Sequence, residues 1–174
     1  QDLAAGEKQL LKSIDKLYEL YIAQLSLLLE IADFARVRHE EGKKKYFPTQ
    51  EDLNPNTKFV NNKIILHLES NKHFRKLVGK YKISWADEQE MVRKLYKEVK
   101  ESGFFQKYLE KEDIDFEDDR EVLIKIFKKV FSSYEYLEQY YEDKSVFWTF
   151  EDFHTSNMMA IKTLKQCNEN DSPE

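Results

Sequence analysis

The residues with the clearest capacity for chemistry form a basic run that leads into two aromatic residues. Three consecutive lysines, 43 to 45, directly precede Tyr46 and Phe47. Cations contact phosphate groups, and aromatic rings stack on unpaired bases. The pattern predicts an RNA contact made by Arg36, Arg38, Lys43, Lys44, Lys45 and Lys58. The alternative, favoured on spacing alone, is a solvated helix end, because the helix dipole attracts cations to a C-terminus in any protein.

A second concentration of chemically distinctive residues lies near the C-terminus. Eight aromatic residues fall between positions 134 and 153. About half can pack between the last two helices, but rings on several helix faces cannot all point inward, and exposed rings favour a binding partner. This predicts a protein-interaction surface that includes Tyr134, Tyr136, Tyr140 and Trp148.

Catalytic and metal-binding patterns are weak throughout. Glu151 and His154 stand at i and i+3 on one predicted helix, but a di-iron bundle needs a second such pair and two further glutamates. Four isolated glycines form no phosphate-binding loop, and Cys167 has no base nearby in sequence. We therefore expect neither enzyme activity nor a metal or cofactor.

The elements that carry these residues are predicted to be helices. Apolar residues recur at spacings of three and four over residues 3–40, which is typical of a long amphipathic helix ending near Gly42. A basic, proline-containing loop should cover 43–54. Helices should then fill 55–109, starting with Asn54 as N-cap and Pro55 in the first helical position.

The second half of the chain is also predicted to be helical. An acidic connector is expected over 110–121, followed by helices over 122–167. Capping boxes are predicted at Ser84–Asp87 and Ser132–Glu135, and Thr149–Asp152 should start the last helix. The prediction is an all-α bundle of about seven helices, with one domain over 1–167 and a polar linker stub over 168–174.

Composition agrees with a single globular domain. The 174 residues are 41% hydrophobic and carry a formal charge of -5, and no apolar run approaches the roughly 20 residues that span a bilayer. Charge is uneven, since residues 33–82 hold twelve basic and six acidic side chains. The one cysteine cannot form an internal disulfide, so the cytoplasm is the expected compartment.

Three segments together resemble one family. Residues 52–62 read DLNPNTKFVNN, residues 83–86 read ISWA, and residues 2–8 read DLAAGEK. The chain is similar in these segments to the long form of the bacterial transcription antitermination factor NusB. The run at 52–62 is specific to that form, whereas the helical periodicity around it is not.

The resemblance implies an all-helical protein that pairs with a ribosomal small-subunit protein and binds a single-stranded RNA antitermination element. It also implies action on the RNA polymerase elongation complex during ribosomal RNA synthesis. The family's arginine-rich first helix would precede residue 1 and its main C-terminal helices would follow residue 174, so we expect a fragment. Residues 118–165 resemble a degenerate copy of the NusB C-terminal half, although Thr149–Asp152 departs from the Leu-Asp-Arg of that family.

Two functions of different classes follow. The first is an antitermination factor fragment that acts as an RNA- and protein-binding scaffold, with its auxiliary RNA contact in the basic run. The alternative is a helical protein-protein interaction module that touches no nucleic acid and uses its aromatic C-terminal helices. The overall charge of -5 favours the alternative because it repels phosphate at long range.

Overall fold

The computed structural model describes residues 2–170, and over this range the chain is helical with no strand. The predicted all-α fold is confirmed. Nine α-helices lie in the described range rather than about seven, and one of them, α2, falls inside the predicted loop. The helices are α1 (Asp2–Lys43), α2 (Gln50–Leu53), α3 (Lys63–Ser70), α4 (Lys72–Lys80), α5 (Gln89–Glu101), α6 (Gly103–Glu110), α7 (Phe116–Lys125), α8 (Glu135–Lys144) and α9 (Phe150–Gln166).

Helix α1 is the axis of the molecule. Its 42 residues extend about 63 Å, and its central part packs on α9, α5, α3 and α4. Leu20, Leu25, Leu28 and Ile31 are fully buried there and meet a cluster that includes Phe105, Phe127 and Phe131. The long helix predicted over 3–40 is therefore confirmed.

The predicted apolar stripe of α1 is buried only in part. Residues 2–15 are all exposed, including Leu3, Leu10, Leu11 and Ile14. No other helix of the described range covers this N-terminal stretch, which we call the α1 arm. The apolar stripe therefore continues through Leu11 and Ile14 outside the core, because periodicity identifies an apolar face but not the element that covers it.

The start of the third helix also differs from the prediction. Asn54 follows α2 as its C-cap, and Pro55 lies in a non-helical turn that continues to residue 62. Asn62 is the actual N-cap of α3, where its side-chain oxygen accepts from the backbone N–H groups of Ile64 and Ile65. Asn62 is buried and also donates to the Asp119 carbonyl oxygen, so tertiary contact selects it as the cap.

Neither of the two predicted capping boxes forms. The hydroxyl of Ser84 accepts only from the Ala86 N–H at the start of a short 3-10 turn, and Ser132 donates to the Lys128 carbonyl oxygen rather than capping α8. A serine hydroxyl can donate to a backbone carbonyl oxygen of the preceding helical turn instead of capping the next helix. Helix α9 starts where expected, and Thr149 caps it reciprocally with Asp152.

The acidic connector is shorter than predicted. Only residues 111–115 are non-helical, because Asp115 forms a capping box with Asp118 and starts α7 at Phe116. A π-helical turn, Ile126–Val130, and a 3-10 turn, Phe131–Ser133, then lead to α8. At the other end, residues 168–170 of the predicted linker stub follow α9 without helix, and residues 171–174 lie outside the described range.

Candidate nucleic-acid interface

Two adjoining surface depressions lie beside the C-terminal end of α1. An inner cleft of about 450 Å³ is bounded by α1, α2, the turn after α2, α5 and α6. An outer cleft of about 470 Å³ continues along α1 and α5 toward Gln106. The two share Arg38, Tyr96 and Lys100. We treat them as one continuous feature, the basic groove.

The inner cleft has an apolar floor and a mixed rim. Phe59 and Phe105 meet edge to face at the floor, with ring centroids 5.2 Å apart. Helix α2 closes tightly on α1 here, since a Cβ added at Gly42 would lie 2.9 Å from the Asp52 carboxylate. Three carboxylates, Glu41, Glu51 and Asp52, share the rim with Lys45, so this end attracts anions weakly.

The outer cleft is the strongly basic end. Four cations line it, Arg38, Arg93, Lys97 and Lys100, against the single carboxylate of Glu101. Arg93 is occupied by Glu90, with a nitrogen to oxygen distance of 2.6 Å. The other three cations make no ion pair with any residue of the described range. They are therefore available to an anionic ligand.

Aromatic rings lie among these cations. Phe34 and Tyr96 contact one another across α1 and α5, with centroids 5.5 Å apart, and the Arg38 guanidinium lies 5.9 Å from the Phe34 ring. Burial raises the pKa of Tyr96. The phenol therefore stays neutral and can donate or accept a hydrogen bond at physiological pH.

His39 on the inner rim is held neutral. Burial lowers its pKa first, and the positive charges of Lys100 and Lys43 lower it further. The carboxylates of Glu40 and Glu51 act in the opposite direction, but burial and the two lysines outweigh them. A bound phosphate would oppose the lowering of this pKa, because a negative charge favours the protonated imidazole.

Two further rings project beside the groove. Tyr46 is 89% exposed and Phe47 is 85% exposed, and they contact each other edge to face with centroids 4.7 Å apart. Both follow directly after Lys45, which lines the inner cleft. Exposed rings beside cations are the arrangement on which single-stranded bases stack.

The six predicted RNA-contact residues do not share one environment. Arg38 and Lys45 line the groove, and Lys43 and Lys44 are exposed at its edge. Lys45 pairs with Asp52 at 3.3 Å and Lys43 with Glu40 at 3.5 Å. Surface ion pairs of this kind are weak and exchange readily with an incoming phosphate.

The remaining two predicted residues are engaged inside the fold. Arg36 donates to both carboxylate oxygens of Glu69, the shorter distance being 2.6 Å, and to the Val60 carbonyl oxygen at 3.0 Å. The Lys58 ammonium donates to the carbonyl oxygens of Leu109, at 2.6 Å, and Lys111. These contacts join α1 to α3 and cap the C-terminus of α6, so neither side chain belongs to the free surface of the groove.

The groove also contains cations that the sequence analysis missed. Arg93, Lys97 and Lys100 lie on α5 at spacings of four and three, which places them on one helix face. That spacing was visible in the sequence. Its significance depends on α5 lying beside the end of α1, which only the tertiary structure decides.

The four predicted protein-interaction residues separate into two pairs. Tyr134 and Tyr136 contact each other, with centroids 5.7 Å apart, and Tyr136 is exposed beside Lys94. Tyr140 and Trp148 both line a different cleft, whose walls include neither Tyr134 nor Tyr136. The structure thus places Tyr140 and Trp148 in that cleft and Tyr136 on the exposed surface of α8.

Other binding features are limited. Glu151 and His154 are both exposed at the start of α9. Across residues 2–170, no group of three or more His, Cys, Asp or Glu side chains is placed to hold a metal ion. None of the helices in this range combines the length and the apolar character that crossing a membrane requires.

Comparisons with protein-family models, with curated proteins and with solved structures found no match for this chain.

Proposed function

We propose that this chain is a non-enzymatic, cytoplasmic RNA- and protein-binding scaffold of the NusB type that serves transcription antitermination. The outer cleft carries the RNA-binding part of the proposal, since Arg38, Lys97 and Lys100 converge there beside Tyr96 without ion-pair partners in the described range. The segments at 52–62 and 83–86 support the relation to NusB.

The residues of the segment at 52–62 make specific contacts with α6. Its asparagine and lysine side chains bond to the end of α6, where Asn56 donates to the Leu109 carbonyl oxygen at 3.0 Å. Its Phe59 packs on Phe105. The segment thereby forms the floor of the basic groove and supports the groove without supplying its free cations.

Single-stranded RNA suits this surface better than a duplex. Unpaired bases can stack on the exposed rings of Tyr46 and Phe47 while phosphates follow the cations of the groove. The overall charge of -5 opposes binding only at long range. Within a Debye length of about 8 Å the local cations dominate.

The proposed partners follow from the same relation. They are a single-stranded RNA antitermination element, a ribosomal small-subunit protein and the RNA polymerase elongation complex, the last two engaged by the full-length protein. The geometry of the groove supports the first of these directly, because its free groups are cations and rings.

A second candidate function has its own support. The α1 arm exposes Leu3, Leu10, Leu11 and Ile14, and Tyr136 is exposed on α8. Exposed apolar residues on a helix face favour contact with another protein. A helical interaction module that binds no nucleic acid would use these surfaces and leave the groove empty.

The two functions are separated by reversing charges in the groove. The variant R38E/K97E/K100E should weaken binding to a single-stranded RNA and lower the salt slope by about 0.7 for each phosphate that the groove no longer neutralises. The matched control K72E/K128E/K162E makes the same change of net charge at exposed residues outside the groove. Fluorescence anisotropy at several salt concentrations measures both quantities.

The same assay decides between sequence-specific and general binding. An RNA with the antitermination element should bind more tightly than a scrambled one if the chain reads that element. Equal loss of affinity in the groove variant and in the control would reject the groove as the RNA site. Absence of RNA binding by every form would favour the interaction module.

A further inference from the structure

A second cleft, which the proposed function does not use, is lined by five aromatic residues among others. It encloses about 230 Å³ between α1, the turn that follows α4, the end of α8 and the loop that leads to α9. Tyr81, Trp85, Tyr140 and Trp148 form its walls. We call it the aromatic cleft, and it shares no lining residue with the basic groove.

The walls of this cleft are held in place by the fold. The Trp148 indole N–H donates to the Lys16 carbonyl oxygen at 2.8 Å, and its ring meets Tyr141 at 90° with centroids 5.7 Å apart. The Trp85 and Tyr140 rings lie 5.5 Å apart at 40°. The site is therefore preformed, and a planar ligand would lose little affinity to ordering of the protein.

The rim of the cleft is basic. Lys16, Lys82 and Lys144 line it together with one carboxylate, Glu19, which lies 3.7 Å from Lys16. Lys82 and Lys144 make no ion pair with any described residue. Lys82 also has a backbone φ of 53°, in the left-handed region that lysine seldom adopts. Lys82 and Lys144 thus flank the rings without ion-pair partners, and the Lys144 ammonium lies 5.3 Å from the centroid of the Tyr140 ring.

One buried donor in the wall lacks an acceptor. Trp85 is only 4% exposed, and its indole N–H has no hydrogen-bond partner within the described residues. Indole can only donate, and a buried donor without an acceptor is unfavourable. The nitrogen is itself buried, so a ligand in the cleft contacts the Trp85 ring and not this donor.

We propose that the aromatic cleft binds one unstacked nucleotide of a single-stranded RNA. The base lies against Tyr140 and Trp148, and the adjoining phosphate contacts Lys82 and Lys144. The volume is below the roughly 300–1,000 Å³ of drug-sized pockets, so it suits one base with its sugar rather than a helix of a protein partner.

This second RNA site is distinct from the basic groove. Lys16 and Arg38 are 22 residues apart on α1, so the two sites lie about 33 Å apart along one helix. This proposal rests on the proposed function in one respect: that function names RNA as the source of the bound nucleotide. A free mononucleotide presents the same chemistry, and the experiment distinguishes the two.

Tryptophan fluorescence reports directly on this cleft. The chain contains two tryptophans, Trp85 and Trp148, and both line it. A short single-stranded oligoadenylate should quench their emission saturably, because a stacked base quenches indole. Adenosine monophosphate should do so only at higher concentration, since it lacks the neighbouring phosphates.

Two variants test the residues involved. K82G/K144A removes both charges, and glycine accepts the left-handed backbone at position 82, so folding should be retained. Its affinity for the oligonucleotide should fall about tenfold, whereas the matched control K72A/K162A should bind as the parent chain does. Y140A should also weaken quenching about tenfold, because the base loses a ring on which to stack.

The possible results separate the hypotheses. Quenching that is unchanged in K82G/K144A and Y140A, or no quenching by either ligand, overturns the proposal. Saturable quenching by the mononucleotide but not by the oligonucleotide rejects RNA as the source. Quenching that persists in the groove variant R38E/K97E/K100E supports the aromatic cleft even if the basic groove fails its own test.

Discussion

At the scale of single residues, three buried polar side chains join the helices that form the core. The Tyr141 hydroxyl donates to Gln24 Oε1 at 2.7 Å, and Gln24 Nε2 donates to Asn157 Oδ1 at 2.5 Å. All three side chains are buried, and burial raises the pKa of Tyr141 well above its ordinary value. The chain of bonds runs from α8 through α1 to α9 and sets their relative positions.

The substitution Y141F tests this network. It removes the hydroxyl and leaves Gln24 Oε1 buried without a donor, so the free energy of unfolding should fall by about 1–3 kcal/mol. Y136F is the control. Tyr136 is exposed, so removing its hydroxyl should change the free energy of unfolding by less than about 0.5 kcal/mol. Urea unfolding measures both. Equal effects would show that the buried network contributes nothing beyond the aromatic ring.

At the scale of elements, helix ends are decided by reciprocal caps. Thr49, Asp115 and Thr149 each form a capping box with an aspartate three residues later. The three helices differ greatly in what the cap supports. Helix α9 has 17 residues and packs along α1, whereas α2 has four residues and buries none of them.

The same substitution at two caps should therefore have unequal effects. T149A removes the acceptor for the Asp152 N–H, 3.2 Å away, and should lower the free energy of unfolding by about 1 kcal/mol. T49A removes the equivalent bond, 3.0 Å long, but should affect global stability less, since α2 can fray without exposing the core. Urea unfolding of the two variants measures the difference. A larger loss for T49A would mean that α2 folds cooperatively with α1.

At the scale of the whole molecule, helix α1 is buried in its middle part and exposed to solvent in its N-terminal arm. The middle of α1 is the most buried element of the core, and its arm carries no buried residue over positions 2–15. Periodicity is the same in both parts. The difference comes from the helices packed around positions 20–35.

Deleting residues 1–11 should leave the folded core intact. Over positions 2–11 these residues bury no apolar side chain, so the free energy of unfolding from urea titration should change by less than about 0.5 kcal/mol. The loss of Leu3, Leu10 and Leu11 should reduce binding of a hydrophobic dye such as ANS. A large loss of stability would show that the arm packs on the core.

Much of the fold could be predicted because helices are governed by local interactions. The extent of α1 and the cap of α9 follow from residues within four positions of one another. The start of α3 could not be predicted this way. Asn54 and Asn62 are both suitable caps, and the choice depends on Asp119, which is 57 residues from Asn62.

The candidate site was predictable only in part for the same reason. Arg38 and Lys45 were identified from the basic run, but that run also contains Arg36 and Lys58, whose charges are directed into the fold by Glu69 and by the end of α6. The cations of α5 were overlooked because they lie about sixty residues away in sequence.

The sequence by itself determined the helical character of this protein, the position of its longest helix and the concentration of basic residues at the end of that helix. Each depends on neighbouring side chains and short-range hydrogen bonds. The tertiary structure decided which cations remain free, which rings line a cleft and which leucines are left exposed. Those properties depend on packing between residues distant in the chain, such as Phe34 with Tyr96 and Trp85 with Tyr140.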